Sequence, residues 1–241
     1  MYLTKTGEKE AALRLAVIQH VLRASDADDA VALGNAAADA TDMGAEVVVL
    51  PPAPVLMDGS AGDPVPKLFA AIGEVRSDSV VFLNPSIAPE GVHDAVLPVL
   101  GSTVLLIGDA CMDYAQILAA AGKKPAVAIL VPNAENDMQA EAVLELAIGL
   151  SDSLAGLIIV VGSAGAEAGE PGHGGSAIVY LGDVVAEVMG DEDQTLEFEV
   201  DTPIQQPEPR GLLPQMPTIL TQRLAHHEGH KLDVDYPADL N

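Results

Sequence analysis

The chain contains one cysteine, Cys111, among 241 residues. A single thiol excludes an internal disulfide and a cysteine-rich zinc site, and leaves two roles for the side chain: a buried apolar group or a nucleophile. Basic residues are also scarce, with 11 Lys and Arg against 36 Asp and Glu, a formal net charge of −25. Such an excess repels phosphate backbones and anionic headgroups, which argues against nucleic acid and membrane surfaces as partners. It suits a protein kept soluble in high salt or in a crowded acidic proteome. No apolar run reaches the length of a membrane span, and the opening MYLTKTGEKE is polar where a secretory leader has a basic stretch and an apolar core. The cytoplasm is the expected location. No Ser/Gly-rich or charge-rich linker interrupts the sequence, and 49% of its residues are apolar, enough for one sizeable core. The expectation is a single domain over residues 1–241, with a polar lead at 1–12 and an extended tail at 202–241.

The most informative stretch is residues 13–53, where an apolar run LRLAVIQH, an amphipathic segment and a second apolar run EVVVLPPAP follow one another directly. Asp26, Asp28 and Asp29 place negative charge in the first helical turn, Ser25 is positioned to cap it, and Gly44 stops it. This is one βαβ unit. Further β-branched runs at 80–83, 102–108, 125–132 and 156–163 are bounded by Gly or Pro and read as strands buried on both faces. Helical patterns at 64–75, 111–121 and 138–154 lie between them. Beyond residue 165 the texture changes to short alternating strands, SAIVYL, DVVAEVM and TLEFEVD, separated by Gly182-Asp183 and the acidic 190–193 turn. These read as an antiparallel hairpin and a following strand. The whole predicts a layered α/β sandwich with mixed sheets and C-terminal β-hairpins.

A strand ending in Gln19-His20, a helix running into Gly44-Ala45 and a strand ending in Leu50-Pro51 resemble the opening of the nitrilase, or carbon-nitrogen hydrolase, superfamily. The order continues at LLIGDACMDYAQILAAAGKKPAVAILVPNA (105–134), similar to that family's strand, nucleophile elbow, helix and strand-to-Pro segment. It continues again at GLSDSLAGLIIVVGSAG (149–165), GEPGHGGSAIVYLGDVVAEV (169–188) and the 210–220 stretch with Pro214 and Pro217. The resemblance implies an α-β-β-α sandwich, homodimerisation through sandwich faces, with 138–154 as a contact helix, and a Cys nucleophile served by a Glu base and a Lys oxyanion donor. The chemistry needs such a set because a neutral thiol is a weak nucleophile and an attacked amide or nitrile develops charge. This chain departs from it at each place. Pro52 stands where the Glu is expected, residues 85–101 contain no lysine, and Gly108 follows Ile107 where the nucleophile would sit.

Cys111, three residues further on and expected on the first turn of the helix, is the candidate nucleophile, since a helix N-terminus favours the thiolate. Asp109 and Asp113 flank it and work in the opposite direction. Asp109 or Glu90 is the candidate base, with backbone N–H groups after the elbow as oxyanion donors. His20 at a strand end and His93 in the shortened 85–101 loop read as surface or hydrogen-bonded histidines without a nucleophile at fixed spacing. His173, Gly174 and Gly175 form a glycine-rich turn that is either a ligand-approaching loop or a plain hairpin turn; no GxxxxGK[ST] motif marks it as a phosphate loop. His226, His227 and His230 in the tail are a weak alternative as zinc or nickel ligands, set against a polar terminus interrupted by Gly229. No metal and no cofactor is expected. Two functions follow: a catalytically degenerate nitrilase-like fold acting as an oligomeric scaffold, regulatory partner or small-molecule binder, or a divergent amide or nitrile hydrolase using Cys111. A generic doubly wound α/β domain is a third reading, which the strand order separates from both.

Overall fold

Strand β1 (Ala12–Gln19) is the first described element, exposed at Ala12 and Arg14 and buried on both faces from Leu15 on, and helix α1 (Asp26–Asp42) follows. The helix stops in a Schellman motif. Gly44 N–H donates to the Thr41 carbonyl at 2.9 Å and Ala45 N–H to the Ala40 carbonyl at 3.0 Å, with Gly44 at φ +94°. Strand β2 (Val47–Val49) then runs parallel to β1, pairing Val47 with Leu15. The computed structural model describes residues 12–23, 26–52, 81–83, 91–97, 100–154, 156–162, 164–167, 170–190, 192–202, 204, 215–217 and 219–220. Ser25, the helix expected at 64–75 and almost all of the tail lie outside them.

Strands β3 (Val81–Leu83), β4 (Gly91–Leu97), β5 (Gly101–Ile107), β6 (Val127–Val131) and β7 (Leu157–Val160) follow, with helix α2 (Tyr114–Gly122) between β5 and β6 and helix α3 (Asp137–Leu154) between β6 and β7. The chain then turns wholly to strand: β8 (Ala164–Glu167), β9 (Glu170–Tyr180), β10 (Asp183–Met189) and β11 (Gln194–Asp201). One sheet has the order β11-β1-β2-β3; the other runs β10-β9-β7-β6-β5-β4, with β8 paired to β9. In the first, parallel β1, β2 and β3 carry antiparallel β11 on one side; in the second, parallel β5, β6 and β7 are flanked by antiparallel β4 and β9. A doubly wound domain would keep β1 and β2 in one sheet with β5 to β7. Here they separate, and the C-terminal strands divide between the two sheets.

Three apolar clusters define four layers. Ala16, Ile18, Val48 and Leu50 on one face of the first sheet meet Leu33, Ala37 and Ala40 of α1. Leu13, Leu15, Val17, Val47 and Val49 on its other face meet Val127, Ile129, Val131, Leu157 and Ile159 of the second. The far face of the second sheet, with Leu106, Leu130 and Val160, packs on Val143, Leu146, Ala147 and Leu150 of α3 and Ile117 of α2. The result is an α-β-β-α sandwich. It follows from strands that are apolar on both faces, each of which must be covered.

Several elements differ from the sequence expectation, two of them among the strands of the second sheet. Residues 91–97 form strand β4, not a loop, paired antiparallel with β5 from Gly91 opposite Ile107 to Leu97 opposite Gly101. An edge strand tolerates polar side chains, so His93 and Asp94 interrupt the apolar pattern; Asp94 binds Lys123 Nζ at 2.6 Å and 2.7 Å just beyond α2. The glycine-rich segment lies inside β9 and is no hairpin turn; β8 pairs with it, Ala164 opposite His173. Its glycines are needed for close backbone approach. A Cβ at Gly162 would fall 1.9 Å from the Gly174 carbonyl oxygen, and one at Gly174 would fall 2.1 Å from that of Gly190.

Candidate functional site

The parallel strands of both sheets end on one side of the sandwich. Gln19, the last residue of β1, accepts the Ser176 N–H on its Oε1 at 3.0 Å, and Ser176 Oγ accepts the Gly162 N–H just past β7 at 3.1 Å. The Gln19 amide nitrogen donates to the Gly190 and Glu192 carbonyls at 2.8 Å and 3.1 Å. Gln19 and Ser176 are buried, so this chain of bonds satisfies polar groups that burial would otherwise leave at a cost.

At the end of β5 the backbone turns sharply. Gly108 takes φ +63°, a left-handed conformation that side chains resist, and starts a short 3-10 turn, Gly108–Cys111. The helix does not begin at Cys111 as expected. It begins at Tyr114, because Asp113 caps it: Oδ1 accepts the Ala115 N–H at 2.8 Å and the Gln116 N–H at 3.4 Å, while Oδ2 accepts the Gln116 amide at 3.0 Å. Cys111 therefore precedes the helix and is not in its first turn. Its side chain is fully buried among Val104, Leu106, Leu130 and Leu146, on the helix side of the second sheet. The thiol donates to the Leu106 carbonyl at 3.1 Å. Burial pushes it up to about 12 from an ordinary 9.0; the Asp109 charge acts in the same direction, and the backbone amides of Val131 and Cys111 oppose it. At neutral pH the sulfur is a protonated thiol facing an apolar core.

At the end of β1 the chemistry is the reverse. His20 is buried, with Nε2 at 2.8 Å from Asp29 Oδ1 and Nδ1 at 3.1 Å from Asp193 Oδ1. Asp29 Oδ1 also accepts the Arg23 N–H at 2.8 Å, and Asp193 Oδ1 accepts the Val21 N–H at 2.7 Å. The Arg23 guanidinium pairs with Asp193 Oδ2. Asp29, which composition alone would assign to the helix dipole, is turned back onto the strand end. This group borders a cleft of about 160 Å³ between α1 and the start of β11. The signal that points to it is a strand ending in two adjacent polar residues, Gln19 and His20, after an unbroken apolar run.

The other predicted residues scatter. Asp109 sits on the 3-10 turn two residues before Cys111, half-buried, its carbonyl accepting the Met112 and Asp113 N–H groups. His93 lies on β4, opposite Leu105. Gly174 and Gly175 are buried in β9; a Cβ at Gly175 would meet that of Ala140 in α3 at 3.1 Å. His173 belongs to the same strand. Glu90, His226, His227 and His230 lie outside the described residues, among which no group of three or more His, Cys, Asp and Glu has the arrangement to hold a metal. Pro52, where the resemblance implies a Glu, lies three residues beyond the end of β2, after Leu50 and Pro51. No described helix is long and apolar enough to cross a membrane.

No protein-family model matches the sequence, and no curated protein does. The fold does match solved structures. A glutamine-dependent NAD+ synthetase from Acinetobacter baumannii superposes with a TM-score of 0.63 at 13% identity, covering 87% of this chain and 49% of the synthetase, so the chain spans about half of that enzyme. A variant of an amidase of the nitrilase superfamily from Nesterenkonia AN1 gives 0.57 at 16% identity, over 90% of this chain and 96% of the amidase. Another variant of that amidase, carrying the acetamide moiety of fluoroacetamide on its active-site cysteine, gives 0.57 at 16% over 82% and 94%. At such identities the shared property is the fold, which is that of the nitrilase-superfamily amidases.

Proposed function

We propose that this chain keeps the nitrilase-like sandwich without cysteine hydrolysis and serves as a small-molecule binder or regulatory scaffold. The observation that carries the reading is the end of β5: Gly108 occupies the elbow, while the one thiol of the chain is buried on the helix side of the sheet. Pro52, three residues beyond β2, supports it, since a proline ring neither accepts nor donates a proton. A fully buried thiol raised to about 12 has neither the access nor the thiolate that nucleophilic attack requires. The resemblance extends the proposal to a homo-oligomer that uses α3, where Met138 is 66% exposed. Light scattering of a monodisperse monomer would remove that part.

The test is the alkylation of Cys111 by iodoacetamide from about pH 5.5 to about pH 9, followed by intact mass and compared with unfolded protein. Protection throughout is expected. An amide, ester and nitrile hydrolysis screen of the native protein and of Cys111→Ala accompanies it. Fast labelling below the free-thiol range, with turnover that Cys111→Ala abolishes, would establish the divergent hydrolase and overturn the proposal.

A further inference from the structure

We infer that the cleft between α1 and the start of β11 binds a small organic ammonium ion. The cleft exists because α1 is centred on β1 and β2. Leu33, Ala37 and Ala40 cover Ala16, Ile18, Val48 and Leu50, and the neighbouring strand β11 is left uncovered on that face. Thr195 pairs with Ile18 across the sheet, and directly opposed residues point to the same side, so Thr195 faces the α1 layer at the edge of that cover. Opposite it, α1 presents Ala32, Ala36 and Asp39, spaced to share one helix face, and the two alanine methyl groups leave space that longer side chains would fill. The volume, about 160 Å³, is below the range of drug-sized pockets and suits a ligand of a few heavy atoms.

The polar side chains of the cleft differ in how far they are satisfied. His20 and Asp193 are bonded to each other, His20 also to Asp29, and Asp193 also to Arg23 and the Val21 N–H. Asp39 and Thr195 line the same cleft, and among the described residues no hydrogen bond or ion pair engages either side chain. An ionised carboxylate only accepts, and a hydroxyl oxygen has lone pairs to offer, so the two together call for a donor. The three carboxylates Asp29, Asp39 and Asp193 outnumber the one guanidinium of Arg23, which leaves the cleft negative in either protonation state of His20 and disfavours an anion. A bare metal ion needs more oxygen ligands than Asp39 and Thr195 supply. An ammonium group brings three N–H donors and the complementary charge, and a short apolar body attached to it rests on Ala32, Ala36 and Ile18. A ligand here is one form of the small-molecule binding proposed above, on which this site rests; alkylation of Cys111 reports on hydrolysis alone, so the two can fail separately.

Backbone amide NMR shifts of the full chain, titrated with n-propylammonium chloride at a fixed potassium chloride concentration, test the site, with n-propanol and propanoate as the neutral and anionic counterparts. Saturable shifts at Ala36, Asp39 and Thr195 are expected, with a dissociation constant on the order of 1 mM for so small a ligand, and none with either counterpart. Asp39→Asn changes an exposed side chain, so the packing persists; it should weaken binding about ten-fold, the loss of one charge-assisted hydrogen bond. Asp183→Asn removes the same charge from an exposed position on β10, in the other sheet, and should leave binding unchanged. Ala36→Leu fills the cleft and should abolish binding, with α3 amide shifts as the check that the fold is intact. Absence of saturable shifts in wild type overturns the site. Equal binding of n-propanol or propanoate does so too, as does wild-type affinity in Asp39→Asn, an equal loss in Asp183→Asn, or retained binding in folded Ala36→Leu.

Discussion

The ends of β5 and β1 lie on the same side of the sandwich, and each buries a group capable of proton chemistry, yet the two burials have opposite consequences. Cys111 is surrounded by Val104, Leu106, Leu130 and Leu146, with one carbonyl as acceptor, and burial holds it neutral. His20 lies between two carboxylates that are themselves bonded, so its burial is met by hydrogen-bonding partners in place of an apolar wall. The lesson is that depth alone does not decide what a side chain does. A buried ionisable group is silenced where its neighbours are apolar, and its polar atoms are satisfied where the neighbours are polar groups that are themselves bonded.

The comparison can be broken most directly at Asp29. Asp29→Ala leaves the ring and the Arg23 N–H without their acceptor, and a loss of about 3–5 kcal/mol in denaturant unfolding is expected, as for other broken buried pairs. A loss below about 1 kcal/mol would mean that the β1 end is no more tightly coupled than a surface pair. Gly162→Ala probes the backbone seam between the two ends, where the new Cβ meets the Gly174 carbonyl with no side chain able to yield. It should cost about 3 kcal/mol, the upper part of the overpacking range, measured the same way. Alkaline pH sharpens the β5 side. The folded thiol lies near 12 and the unfolded one near 9.0, so above pH 9 the unfolded chain binds fewer protons and stability falls. The slope approaches roughly 1.4 kcal/mol per unit of pH, with no contribution below that range. Cys111→Ala should remove this slope, and a pH titration of the midpoint of unfolding reads it. The smallest effect belongs to Arg23→Ala. Its ion pair with Asp193 is 43% and 46% exposed, so truncation should cost at most about 1 kcal/mol and less in concentrated salt.

Much of the architecture was legible because it rests on local patterns. The runs at 13–20, 47–50, 102–108, 125–132 and 156–163 needed only apolar periodicity, and Gly44 supplied its own stop signal. Strand β4 was not legible, since an edge strand is covered on fewer sides and can carry His93 and Asp94. Strand β8, Ala-Gly-Ala-Glu, lacks β-branched residues and is recruited by pairing with β9. The start of α2 was misplaced by three residues because Asp113 caps more strongly than the apolar pattern before it suggests. At the candidate site, that Gly108 follows the β5 run and that Pro52 follows Leu50-Pro51 could be read directly from the sequence. At His20 only the polar strand end, Gln19-His20, was legible; its partner Asp193 was not, because it is 173 residues away in the acidic 190–193 turn.

The sequence by itself determined where strands and helices form, that the sheets need cover on both faces, and which reactive side chains exist at all: one thiol, few cations and many carboxylates. These follow from short-range sterics and from the burial of apolar runs, which operate within a few residues. Only the tertiary structure decided which way Cys111 faces and what His20 touches. Both depend on which strand ends the two sheets bring together. The energies involved are those of desolvation and charge pairing, which exist only once distant segments have excluded water from between them.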